Sequence, residues 1–118
     1  MYTMSNLTFD DIATELHELA VEKGFWDVVQ DATQEQTDIF MTKQLMMIVS
    51  EATEVMEAIR KSHGPEAVAD EMADILIRTF DLYAGLVEHG YTHVSLDYAF
   101  ENKTSVNKLR AQKHGVKF

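Results

Sequence analysis

Two acidic pairs at helical spacing, Glu51-x-x-Glu54 and Glu71-x-x-Asp74, flank the chain's only proline, Pro65, and each lies in a strongly apolar stretch. Residues three apart on a helix stand about 60° apart around its axis, so each pair projects from one face. Between them, His63-Gly64-Pro65 breaks the helical pattern and lets the second stretch fold back along the first. Glycine and proline side by side end one helix and suit the first position of the next. Four carboxylates gathered by such a hairpin repel one another unless cations neutralise them, and unpaired carboxylates among apolar residues are costly.

The kind of cation follows from what is missing. The chain has no cysteine, which excludes thiolate sites, and none of its five histidines (17, 63, 89, 93 and 114) follows a glutamate by three residues, which removes the di-iron carboxylate pattern. Hard, oxygen-ligated ions remain: Mg²⁺, with Mn²⁺ able to substitute. Mg²⁺ held by carboxylates keeps open positions for water and phosphate oxygens, so phosphate chemistry is expected.

A length of 118 residues predicts one domain, 1–118, with a single modest core. No apolar run nears the roughly 20 residues needed to cross a bilayer, and no signal-like N-terminus is read, so no membrane partner is expected. With cysteine absent, the expected location is the cytoplasm, or the host cytoplasm for a phage-encoded chain. A net charge of −10 argues against a nucleic-acid polymer as partner, while leaving small phosphate ligands open.

Strand-like alternation is scarce, and the fold class expected is all-α: a four-helix, bundle-like arrangement in which two long central helices carry the acids. Thr8 and Asp11 form a capping-box pattern, followed by Phe9, Ile12, Leu16 and Leu19 at helical spacing and by Gly24, so a first helix is expected over about 8–23. Residues 25–36 lose the period and read as a connection. Its Phe25-Trp26 pair is unusual in a polar linker: a tryptophan there more often packs over a core, and stacking on a nucleobase is the alternative. The period resumes at Thr37 or Asp38 and runs to Arg60, with Gly64 expected to terminate the helix. A third helix is expected from Pro65 to near His89-Gly90, and a fourth from after Ser95 to about Gln112.

Glu71, Asp74, Arg78 and Asp81 line one face of the third helix. Read alone they make a solvated stripe, with Arg78 pairing with Asp74 and Asp81. The matching Glu51/Glu54 pair, and neighbours such as Met46, Met47, Ile48, Val49, Ile75, Leu76 and Ile77 that look buried, argue for an internal purpose instead. Lys103, Asn107 and Arg110 share one face of the fourth helix, with Lys113, His114 and Lys117 just beyond. Two cations and an amide on one stripe can grip phosphate oxygens at the far side of a metal cluster, although cations near a helix C-terminus also have a dipole rationale. Together the acidic pairs and the basic stripe describe a metal–polyphosphate site.

Ser50-Glu51-Ala52-Thr53-Glu54, sixteen residues, then Glu71-Met72-Ala73-Asp74 resembles the signature of the MazG-like all-α nucleoside triphosphate pyrophosphohydrolases. Lys23-Gly-Phe-Trp-Asp27 and Asn107-x-x-Arg110 with Lys113-His114-Gly115 extend the resemblance over most of the chain. The resemblance implies Mg²⁺-dependent cleavage of nucleoside or deoxynucleoside triphosphates between the α- and β-phosphates, giving monophosphate and pyrophosphate, a role in nucleotide metabolism. It implies Glu51, Glu54, Glu71 and Asp74 as metal ligands and Lys103, Asn107 and Arg110 as phosphate contacts. From the chemistry of such a site, an unligated carboxylate oxygen of Glu51 or Glu54 is expected to accept the proton of the attacking water. Trp26 is the candidate base contact. Many members carry a second glutamate directly before the first ligand, where this chain has Ser50. The non-catalytic alternative is a helical module that binds metal and nucleotide without turnover. A homo-oligomer, dimer or tetramer, is expected because a chain this short leaves part of its apolar central helices uncovered, and the resemblance points the same way.

Overall fold

Several helix ends among the described residues rest on local chemistry that the sequence carries. A computed structural model describes residues 7–110, which form four helices: α1 (Phe9–Glu22), α2 (Gln34–Arg60), α3 (Pro65–Glu88) and α4 (Leu96–Leu109). A single 3₁₀ turn, Asp27–Val29, lies between α1 and α2. The protein is all-α over these residues. No helix among them is long and apolar enough to cross a membrane.

Thr8 caps α1 as expected. Its hydroxyl accepts from Asp11 N–H at 3.1 Å while Asp11 Oδ2 accepts from Thr8 N–H at 3.2 Å. The same device opens α2 three residues earlier than the apolar period suggested. Thr33 Oγ1 accepts from Gln36 N–H at 3.1 Å, and Gln36 Oε1 accepts from Thr33 N–H at 2.9 Å. The first turn of α2, Gln34-Glu35-Gln36, is exposed and polar, so it has no period to read; its capping box was the available signal.

The link between α2 and α3 also differs in detail. Ser62, not Gly64, terminates α2: it adopts a left-handed φ of 53°. His63 N–H donates to Ala58 O at 2.9 Å and Ser62 N–H to Ile59 O at 3.2 Å, the paired bonds of a Schellman ending. Gly64, at φ 101°, is the cap before α3, with Pro65 in the first turn.

α3 is the common element against which α1 and α2 both pack. The core lies where α1, the 3₁₀ turn, α2 and α3 meet: Ala20, Trp26, Val29, Met41 and Leu82, flanked by Ala32, Phe40, Ile48 and Leu86. Trp26 is its largest member, edge-on to Phe40 at 5.0 Å and to His17 at 4.6 Å between ring centroids. Gly85 makes room for it, since a Cβ there would lie 2.2 Å from the indole.

α4 is tied to α1 by reciprocal capping. Asp97 accepts from Phe9 N–H at 2.9 Å and Asp10 N–H at 3.1 Å. Asp10 in turn accepts from Leu96 N–H at 2.8 Å and the Ser95 hydroxyl at 2.6 Å. Each aspartate therefore serves the unpaired N–H groups of the other helix. Desolvation works against the Asp10 charge, but the bonds from the Ser95 hydroxyl, Asp97 and the α4 backbone outweigh it and lower its pKa to about 2.

The expected burial of the central helices holds only in part. Met46, Val49, Met56, Ile59, Met72, Leu76 and Ile77 are exposed, while Met47, Ile48 and Ile75 are half-buried. α1 packs chiefly on α3, so among the described residues much of the apolar circumference of the two long helices carries no covering helix.

Candidate metal centre

Folding α3 back along α2 brings three carboxylates into one place. Glu51 from α2 and Glu71 and Asp74 from α3 each offer an oxygen, and these atoms lie within 4.8 Å of one another. Glu54, one turn beyond Glu51, lies outside that trio, yet its charge reaches Glu71. Glu71 is held above the ordinary carboxylate range, first by desolvation and then by repulsion from Glu51, Asp74, Glu54 and Asp70. Among the described residues, one cation comes within 4 Å of the trio: Arg78, whose Nε stands 3.6 Å from Glu51 Oε1.

The donor set fits a small hard cation. Mg²⁺–oxygen bonds of about 2.0–2.1 Å separate ligand oxygens by roughly 3–4 Å. Three carboxylate oxygens within 4.8 Å of one another stand close to that spacing. Glu51 is largely covered, its side chain 15 % exposed, while Asp74 opens to solvent, so the group has a closed side and an accessible side.

A cavity of about 340 Å³ adjoins the acids. Leu16, Leu19, Phe25 and Ile77 are its larger apolar lining residues, and its charged lining is three acids, Glu51, Asp74 and Asp81, and two cations, Lys23 and Arg78. Lys23 is the C-cap of α1, and Gly24, at φ 84°, turns the chain so that Phe25 follows into the cavity wall. Arg78 and Lys23 were not identified as site residues from spacing. Arg78 does stand four residues after Asp74, on the same face of α3, which was the available signal.

Asp81 also borders the cavity but is engaged through one oxygen. Its Oδ1 accepts from Trp26 Nε1–H at 3.0 Å and from His17 Nδ1–H at 2.8 Å. His17 Nε2 lies 3.0 Å from Glu88 Oε2, so both ring nitrogens face carboxylates, which cannot donate. Burial disfavours charge on His17, but the bonds and charges of Asp81 and Glu88 prevail and raise its pKa above 6.5. The expected pairing of Arg78 with Asp74 and Asp81 is thus replaced: Asp81 belongs to His17 and Trp26, and Arg78 reaches across to Glu51.

The other expected site residues fall elsewhere. Trp26 packs in the core at 4 % exposure, the more usual fate of a tryptophan in a linker, and its exposed neighbour Phe25 is the aromatic that borders the cavity. On α4, which packs on α1, Lys103 is exposed and Asn107 half-buried, but the helix ends at Leu109 and exposed Arg110 is its extended C-cap, so the expected shared face stops short of Arg110. None of the three lines the cavity beside the acids. Ser50, also exposed, adds no carboxylate. Gln112, Lys113, His114 and Lys117 lie outside the described residues. Compared with protein-family models, with curated proteins and with solved structures, the chain matches none.

Proposed function

We propose that this chain is a Mg²⁺-dependent nucleoside triphosphate pyrophosphohydrolase, acting on ribo- or deoxynucleoside triphosphates and releasing monophosphate and pyrophosphate. The observation that carries the reading is the convergence of Glu51, Glu71 and Asp74 from two helices beside a cavity lined by apolar side chains, by acids and by the two cations Lys23 and Arg78. With a divalent cation on the acids, such a cavity would suit a ligand with a flat apolar end and a polyanionic end. The resemblance of the acidic motifs to the MazG-like family, and with it a MazG-type four-helix fold, is the second support.

Glu51, Glu71 and Asp74 would hold the ion, with Glu54 completing the set. A divalent cation, when bound, supplies Lewis acidity and acidifies a ligated water. Glu54, outside the converging trio, would be placed to take a proton from an attacking water, and Glu51 is the other candidate base. Lys23 and Arg78, already on the cavity wall, would meet negative charge on the leaving pyrophosphate. Phe25 would lie against the base in the place expected of Trp26.

The exposed apolar strip along α2 and α3 supports a homo-oligomer, dimer or tetramer. Lys103, Asn107 and Arg110 of one copy would then contact phosphate at the site of another. Light scattering that gave the 13.4 kDa mass of one chain together with full activity would exclude this assembly.

The deciding experiment is incubation of the protein with each common ribo- and deoxynucleoside triphosphate, with Mg²⁺ or with chelator. Monophosphate and pyrophosphate formed only with Mg²⁺ support the hydrolase. Mg²⁺-dependent nucleotide binding without product identifies the binding module. Diphosphate and inorganic phosphate as products would place the cleavage at a different bond.

A further inference from the structure

Arg78 is oddly placed for a residue that merely balances charge. Asp74 and Asp81 flank it on its own helix at i−4 and i+3, the positions where an ion pair forms readily. It takes neither. Its Nε instead leans across to Glu51 on α2 at 3.6 Å, beyond hydrogen-bond length and through a single atom. A guanidinium carries five N–H donors in a rigid fork, and no hydrogen bond among the described residues engages those of Arg78. The side chain is 39 % exposed and borders the cavity that it shares with Lys23, Glu51 and Asp74. A long, one-point, partly exposed contact contributes little and exchanges readily. An uncommitted fork at a cavity wall is the geometry that grips phosphate oxygens in pairs.

We propose that Arg78 contests Glu51 with the divalent cation and, displaced by it, presents its guanidinium fork to the phosphate chain of the ligand in the same cavity. The inference rests on reading Glu51, Glu71 and Asp74 as the cation site. It assigns Arg78 a double role that neither a structural ion pair nor a simple counter-charge has: it weakens the cation when the cation is alone, and strengthens the phosphate ligand when the cation is present.

Mn²⁺ alone serves as the first probe, with free ion counted by electron paramagnetic resonance. The second probe is a triphosphate with methylene bridges, which water cannot cleave and which carries no base, titrated calorimetrically in the presence of Mn²⁺. Arg78→Gln is expected to bind Mn²⁺ about two- to fivefold more tightly than wild type, and to bind the bridged triphosphate about tenfold to a hundredfold more weakly. Arg78→Lys, which keeps the charge but not the fork, should return Mn²⁺ affinity to the wild-type value and recover the triphosphate only in part. Arg60→Gln removes an exposed cation that pairs with Glu57 on α2 and should change neither measurement. Wild-type protein that takes up Mn²⁺ while Arg78→Gln matches it overturns the competition, and unchanged triphosphate affinity overturns the phosphate contact. Tighter Mn²⁺ binding with unchanged triphosphate binding reduces Arg78 to a counter-charge. Wild-type protein that takes up no Mn²⁺ overturns the cation reading itself, and this inference with it.

Discussion

Asp81 and Asp74 stand seven residues apart on α3, border the same cavity and are chemically identical, yet they have opposite surroundings. Asp81 receives two donors, the Trp26 indole and the His17 ring, and through them joins α1, the linker and α3. Asp74 receives none among the described residues and faces two further carboxylates. Asp81 is paired with His17 and Trp26 against the core, while Glu71, beside Asp74, has its pKa raised by desolvation and then by the neighbouring carboxylates. The difference separates acids that hold the fold from acids that face one another with no hydrogen-bond donor among the described residues. Capping acids belong with the first kind: Asp10 and Asp97 each satisfy backbone donors of the other's helix.

The comparison breaks most easily at Trp26. Trp26→Ala removes the largest core side chain and the second donor to Asp81, and should destabilise the fold by about 3–5 kcal/mol in denaturant titration. A loss below about 1 kcal/mol would show that the indole is dispensable and that Asp81 is no better anchored than Asp74.

At the other end, Glu51→Gln, Glu54→Gln, Glu71→Gln and Asp74→Asn should each lower triphosphate turnover about a hundredfold or more while the protein stays folded. Their melting temperatures without Mg²⁺ should equal or exceed that of wild type, because each removes repulsion. Mg²⁺ at a hundred times its dissociation constant should stabilise wild type by about 2.7 kcal/mol and these variants much less. Full activity in two of the four would end their assignment as ligands.

Proton titration sharpens the contrast, because the two regions respond in different windows. The raised pKa of His17 means that its contribution is complete below the ordinary value of 6.5 and is lost as pH rises through the folded value. Stability should therefore fall on the alkaline side of 6.5, and His17→Gln should flatten that slope. Glu71, also raised, binds its proton more tightly in the folded state, so stability without Mg²⁺ should decline as pH rises from 4.5 through its folded value. Glu71→Gln should flatten that segment alone. Chemical denaturation between pH 4 and 9 separates the two; a slope at 6.5 that survives His17→Gln would remove the histidine from the account.

The smallest expected effect is Ser62→Gly, which relieves a left-handed φ of 53° at the turn that joins the two acid-bearing helices. A gain of about 1 kcal/mol in stability is expected, with turnover unchanged. Lost turnover at unchanged stability would show that the turn sets the spacing of the acids.

Much of this architecture was readable along the chain. The capping box at Thr8, the break at Pro65, the helical period and both acidic pairs rest on contacts within a few residues, which spacing encodes directly. The missed start of α2 at Gln34 belongs to the same class, since Thr33 and Gln36 spell a capping box under a polar first turn. Other features had no local trace. That Arg78 reaches Glu51, that His17 bridges Asp81 and Glu88, that Trp26 lies over Gly85 and that Asp10 and Asp97 cap each other's helices are all contacts between distant segments. Spacing gives the direction of a side chain around its own helix axis. How two helices are rotated and slid against each other depends on side-chain packing across the interface. The sequence alone therefore determined which acids share a face, and the tertiary structure decided which of them have partners.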